Sequence, residues 1–184
     1  MKILFAHGLA SSGAYKMASM LRQLCKAEAV LSPDLPIGVP AALALLQELA
    51  DREHPDVLVG LSLGAFLALH VQGVPRVAVN PDLHPSRLLR THLGVMDYLS
   101  PRQDRATQFT IDETVCKGYE ALEDGPVEGR FFGLFALDDQ LVSCGQEFQT
   151  RFPGRSLYYP GGHLPTYPEM KFHIVPASLR FLAE

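Results

Sequence analysis

Short apolar runs that alternate with stretches at helical spacing constrain this chain more than any other feature. The runs are Lys2–Ala6, Ala29–Leu31, Asp56–Gly60, Arg76–Asn80, Gly129–Leu137 and Ser156–Tyr159. Most are apolar throughout rather than alternating, which is how a strand covered on both faces reads. Between them, Ala14–Lys26 places Met17, Met20, Leu21 and Leu24 on one helical face. Ala41–Arg52 turns Leu45, Leu46 and Leu49 inward, with Pro40 at its first helical position and Pro55 as its stop. Leu63–Gln72, Ser143–Phe152 and much of Glu169–Leu182 complete the helices, the last restarted or kinked at Pro176. Strands alternating with helices predict a parallel sheet covered on both faces. The exception is residues 82–125, which carry Gly94, Pro101, Gly118 and Gly125 and suggest helix only near Ser86–His92 and Asp112–Leu122. So long a connection is expected to act as a cap or binding loop.

Composition narrows the class. A chain of 184 residues, 47% hydrophobic and 20% charged, is one globular domain spanning 1–184. With Lys+Arg 16 against Asp+Glu 20, the net charge of −4 disfavours a phosphate-binding surface, so no nucleic-acid partner is expected. Cys25, Cys116 and Cys144 are odd in number and far apart, which supports neither a disulfide framework nor a zinc ribbon and fits a reducing cytoplasm. No apolar run is long enough for a membrane span, and the N-terminal run is too short for a signal peptide.

Three positions carry chemistry. Gly60-Leu61-Ser62-Leu63-Gly64 is a G-x-S-x-G pattern between an apolar strand and an apolar helix. There a sharp turn would expose Ser62, and the flanking glycines would relieve its crowding. Asp138-Asp139 follows the fifth strand. Asp139 is the favoured orienting acid because Leu141 and Val142 would anchor the turn just after it, with Asp138 the alternative. Gly161-Gly162-His163 follows the sixth strand, where paired glycines can swing the histidine over the sheet edge. Ser62, Asp139 and His163 thus occur in the chain order of an α/β-hydrolase triad, each just past the C-terminal end of a strand. In that geometry the N–H groups of Leu9 and Leu63 would form an oxyanion hole. His7 is expected to organise its loop rather than act as a base. His54 should be exposed and His70 structural. His84, His92, Met96, Tyr98 and Phe109 are the expected lining of a substrate pocket. The i, i+4 pair Glu169 and His173 is too little for a metal site. No metal or cofactor is expected.

These residues resemble the YqiA-like bacterial esterase family. The likeness runs through His7-Gly8-x-x-Ser11-Ser12 with Lys16, Leu35-Pro36, the Ser62 turn, Asn80-Pro81, Asp139 and Gly161-Gly162-His163. The chain departs from the family at Leu61, where a serine is usual, and where His163 follows Gly162 directly. The resemblance implies a minimal α/β-hydrolase fold of about six mostly parallel strands in the order 2-1-3-4-5-6, with a small cap at about 82–125. It also implies a serine esterase acting on a small acyl ester or thioester, with no cofactor. An amidase on the same site and a binding protein that keeps the fold are the competing readings.

Overall fold

In the computed structural model, which describes residues 1–184, six strands form one parallel sheet. They are β1 (Lys2–Ala6), β2 (Ala29–Leu31), β3 (Val57–Leu61), β4 (Arg76–Val79), β7 (Phe131–Ala136) and β8 (Ser156–Tyr159), in the order β2-β1-β3-β4-β7-β8. All five pairings are parallel. The remaining strands, β5 (Gly94–Asp97) and β6 (Gln108–Ile111), form a separate antiparallel hairpin.

Alternation along each strand assigns side chains to two faces. Ile3, Phe5, Val57, Val59, Val77 and Val79 point to the face covered by α1 (Lys16–Leu24) and the C-terminal helix. Leu4, Ala6 and Leu58 point the other way, onto α2 (Val39–Glu53) and α3 (Leu63–Leu69). Each such fully buried aliphatic side chain contributes about 1.5–3 kcal/mol. A third apolar cluster joins α3 to α6 (Gly145–Arg151) through Leu69, Phe131, Phe135 and Phe148.

The C-terminal helix is continuous but irregular. α7 (Tyr167–Glu169) passes through a π-helical turn, Met170–Ile174, into α8 (Val175–Ala183). Pro176 has no N–H for the carbonyl one turn back and its ring crowds that carbonyl, so the helix widens just before it rather than breaking.

Residues 82–125 are more ordered than the sequence implies. They comprise α4 (Pro85–Arg90), the β5–β6 hairpin and α5 (Glu113–Glu123), which Asp112 caps by accepting from Val115 N at 2.9 Å. The hairpin has no apolar signature on β5, whose residues are mostly exposed, and only Phe109 and Ile111 of β6 turn inward. Phe109, Ile111, Cys116 and Tyr119 join the same core cluster as Leu4 and Phe66.

Arg76 is a further element that the sequence shows only as a strand start. Its side chain is buried at 1% exposure beneath the end of α3. Its Nη1 donates to the carbonyls of Leu69 (2.8 Å) and Val71 (2.5 Å), and its Nη2 donates to that of Glu128. The guanidinium so supplies donors that a helix end lacks, at the negative pole of the α3 dipole.

Candidate active site

The β3–α3 turn passes directly from strand to helix through one residue. Ser62 sits at φ 54°, ψ −120°, in the positive-φ half of backbone space that side-chain-bearing residues avoid. Close packing enforces it. A Cβ on Gly60 would lie 2.5 Å from Ala65 Cα, and one on Gly64 would lie 2.3 Å from the carbonyl oxygens of Ala6 and His7. Glycine at 60 therefore lets β3 pass close to the start of α3, and glycine at 64 lets α3 approach the end of β1. The Ser62 N–H donates to Val79 O at 2.9 Å, and the Ser62 carbonyl accepts from Ala65 and Phe66, which fixes the serine between β4 and its own helix.

His163 reaches the serine from the far end of the sheet. Its Nε2 is 2.9 Å from Ser62 Oγ, and its Nδ1 is 2.7 Å from Asp139 Oδ2. With Nδ1–H donating to the carboxylate, Nε2 is left as an acceptor for the Ser62 hydroxyl proton. Asp139 is fixed in turn, because its Oδ1 accepts from the N–H groups of Leu141 and Val142, each at 2.9 Å. Asp138 is exposed and meets the loop only through its own N–H, which donates to Gly161 O at 2.9 Å. The anchor is thus not the pair of side chains expected from sequence. Val142 is buried, but Leu141 is 72% exposed, and the two backbone N–H groups do the holding.

The two loops behind the serine are tied down separately. His7 is buried; burial lowers its pKa and keeps the ring neutral. Its Nε2 accepts from Leu35 N at 2.9 Å and its Nδ1 donates to Gly8 O at 2.9 Å, so its nitrogens are occupied in joining the β1 loop to Leu35-Pro36. The Leu9 N–H donates to no group of the chain, and Leu63, as the first residue of α3, has no intrahelical acceptor. The role of Asn80 is not visible in the sequence, where it stands only as half of an Asn-Pro pair. It is 1% exposed and lies at φ 47° immediately after β4. Its carboxamide bonds to Ala136, Tyr159, Gly162 and His163.

A cavity of about 320 Å³ opens over Ser62 and His163. Leu88, Leu99, Leu141 and Leu164, from four different segments, form its apolar wall, and none of its lining residues is Asp, Glu, Lys or Arg. Of the five pocket residues expected from sequence, only His92 lines this cavity. His84 instead faces Glu147, with Nε2 2.9 Å from both carboxylate oxygens. Tyr98 and Phe109 line a slot of about 20 Å³ behind Leu9, next to Leu63, and Met96 packs on the core. Their apolarity signals burial as readily as ligand contact, which is why the sequence misplaces them. Glu169 caps its own helix with Thr166, and no group of three or more His, Cys, Asp or Glu residues is placed to hold a metal ion.

The sequence model of the alpha/beta hydrolase family matches residues 3–179, nearly the whole chain. The chain belongs to the alpha/beta hydrolase family. Solved structures of the alpha/beta hydrolase fold are similar over nearly the whole of this chain. Est1E from Butyrivibrio proteoclasticus superposes with a TM-score of 0.70 at 10% identity, covering 100% of this chain and 88% of that one. A structure from work on LipS and LipT, two metagenome-derived lipolytic enzymes, gives 0.68 at 14% identity, covering 99% and 93%. The esterase domain of a Rhodothermus marinus protein gives 0.62 at 19% identity, covering 97% and 86%. No curated protein matches the sequence. At these identities the likeness is one of fold. No helix of this alpha/beta hydrolase is long and apolar enough to cross a membrane.

Proposed function

We propose that this alpha/beta hydrolase is a serine esterase that cleaves carboxylic esters through Ser62, His163 and Asp139. One observation carries the reading: a single hydrogen-bonded chain runs from Ser62 Oγ through His163 to Asp139, with links of 2.9 and 2.7 Å. In the reaction, Ser62 Oγ attacks the ester carbonyl while His163 Nε2 takes its proton. Asp139 holds the tautomer that leaves Nε2 free and stabilises the imidazolium that forms. The N–H groups of Leu9 and Leu63 receive the oxyanion, a role worth about 10²–10³ in kcat per donor. The protonated His163 then returns its proton to the leaving alkoxide, and the alcohol departs. Water, deprotonated by the same Nε2, hydrolyses the acyl-enzyme and restores Ser62.

The leucine wall favours an uncharged ester with an apolar limb, since no ionised side chain lines the cavity to meet a charged one. The motif likeness to the YqiA-like esterases supports the esterase reading but carries no preference for the acyl group. Three free cysteines support a cytoplasmic site of action.

Labelling with a fluorophosphonate, followed by turnover of p-nitrophenyl esters of graded chain length, tests the reading. The wild-type protein should label, and Ser62→Ala should lose labelling and at least about 10⁴ of turnover while staying folded. Undiminished labelling of the variant would assign the nucleophile elsewhere. The ester, thioester and amide of one acyl group, compared in parallel, rank esterase against thioesterase and amidase.

A further inference from the structure

The histidine loop has little of its own to hold it. It follows β8 through Pro160, Gly161 and Gly162, and Gly161 lies at φ 150°, where other residues are strained. A Cβ on Gly162 would meet nothing within 4 Å, so neighbouring atoms do not confine the loop there. The Gly161 carbonyl accepts from Asp138 N. Beyond that point, the carbonyls of Gly162 and His163 accept only from the Asn80 carboxamide.

The orientation of that carboxamide follows from its partners. Ala136 N can only donate, so the oxygen faces it, at 2.8 Å. The carbonyls of His163 (2.8 Å) and Gly162 (3.3 Å) can only accept, so the NH₂ group faces them and, at 2.8 Å, the Tyr159 hydroxyl. One side chain therefore spans the ends of β4, β7 and β8 and the main chain that carries the imidazole. The residue type is doubly required. The backbone at φ 47° is tolerated by Asn and Asp better than by most residues, and only Asn offers donors and an acceptor together.

We infer that Asn80 is a positioning residue for the hydrolytic centre, holding the His163 main chain at the height from which Nε2 reaches Ser62 while Nδ1 reaches Asp139. The inference rests on the esterase reading for its kinetic consequence but not for its structural one. Asn80→Asp keeps size and backbone preference while replacing the NH₂ group with a carboxylate oxygen, which repels the two carbonyls. A displaced base costs catalysis more than binding, because reacting atoms must meet within tenths of an ångström.

The experiment compares Asn80→Asp and Tyr159→Phe with the wild type, using p-nitrophenyl butyrate. It also follows the far-downfield proton resonance of the His163 Nδ1–H bonded to Asp139, assigned by its loss in Asp139→Asn. Asn80→Asp should lower kcat by about 10- to 100-fold with KM nearly unchanged and should lose or shift the resonance. Tyr159→Phe removes a partner of the amide but leaves both loop carbonyls held, so it should keep the resonance and most of its kcat. Retention of wild-type kcat and resonance by Asn80→Asp would overturn the inference. Losses of kcat that simply track the drop in Tm across both variants would also overturn it. If Asn80→Asp does not fold, Asn80→Ser, which withdraws the donors without adding charge, is read in the same way. A wild-type protein that neither labels nor turns over ester would defeat the esterase reading alone, since the resonance still reports whether Asn80 holds His163 to Asp139.

Discussion

At the scale of single residues, the adjacent carboxylates Asp138 and Asp139 occupy different environments. Asp139 accepts two backbone N–H bonds on one oxygen and faces His163 with the other, whereas the Asp138 side chain stands in solvent. Asp139→Asn should therefore cut kcat by about 10⁴, the loss expected when an amide stabilises the wrong tautomer. Asp138→Asn should leave kcat nearly intact, and steady-state kinetics on one activated ester compares the two. His70 provides a test by pH. Burial, reinforced by Arg151 and Arg76, pulls its pKa from 6.5 down to about 4. Below pH 6.5 the unfolded chain takes up a proton that the folded one refuses. The stability contribution of neutral His70 is thus complete above 6.5 and is lost as pH falls toward 4. Allowing for partial solvent access, the loss should be on the order of 1–2 kcal/mol. Urea unfolding at pH 7.5 and 4.5 should show this component in the wild type and not in His70→Gln.

At the scale of elements, the strands were legible wherever burial on both faces produced an unbroken apolar run, as in Val57–Leu61. The Ser62 turn was legible because close packing against the start of α3 forces glycine at 60 and close packing against the end of β1 forces it at 64. The β5–β6 hairpin was not, because a largely exposed strand needs no apolar pattern and Gly94 looks like any loop glycine. The bonds of Arg76 run to backbone carbonyls, and all but one of those of Asn80 run to backbone groups, which have no residue identity to read, so sequence gives little sign of them. Arg76 makes the strongest prediction of this kind. Arg76→Met fills similar space but leaves the carbonyls of Leu69, Val71 and Glu128 without their donor. It should cost about 2–4 kcal/mol, with Arg76→Lys only partly restoring stability because one ammonium cannot reach both sides. Chemical denaturation midpoints measure both.

At the scale of the whole molecule, the insertion at 82–125 is part of the core rather than an appendage to it. Phe109, 8% exposed, packs in one cluster with Leu4, Leu63 and Phe66, while Leu99 stands 83% exposed at the cavity. Phe109→Ala should accordingly lower stability by about 3–5 kcal/mol. Leu99→Asn should leave Tm almost unchanged and weaken the turnover of long-chain esters relative to short ones. Thermal unfolding beside an ester panel separates these effects, and Phe109 belongs with stability although its aromatic side chain first reads as ligand-binding. The hairpin is also bound to the loop beside the nucleophile, through Leu99 N to Ala10 O at 2.7 Å. A roof joined to both the core and that loop cannot swing aside without breaking the bond to Ala10 and uncovering Phe109 and Ile111. If ester is cleaved here, entry should use the mouth that already stands open over Ser62, and turnover should not be timed by a gate. Substrate encounter should stay first order in ester concentration without a conformational ceiling, leaving acylation or deacylation to set the clock.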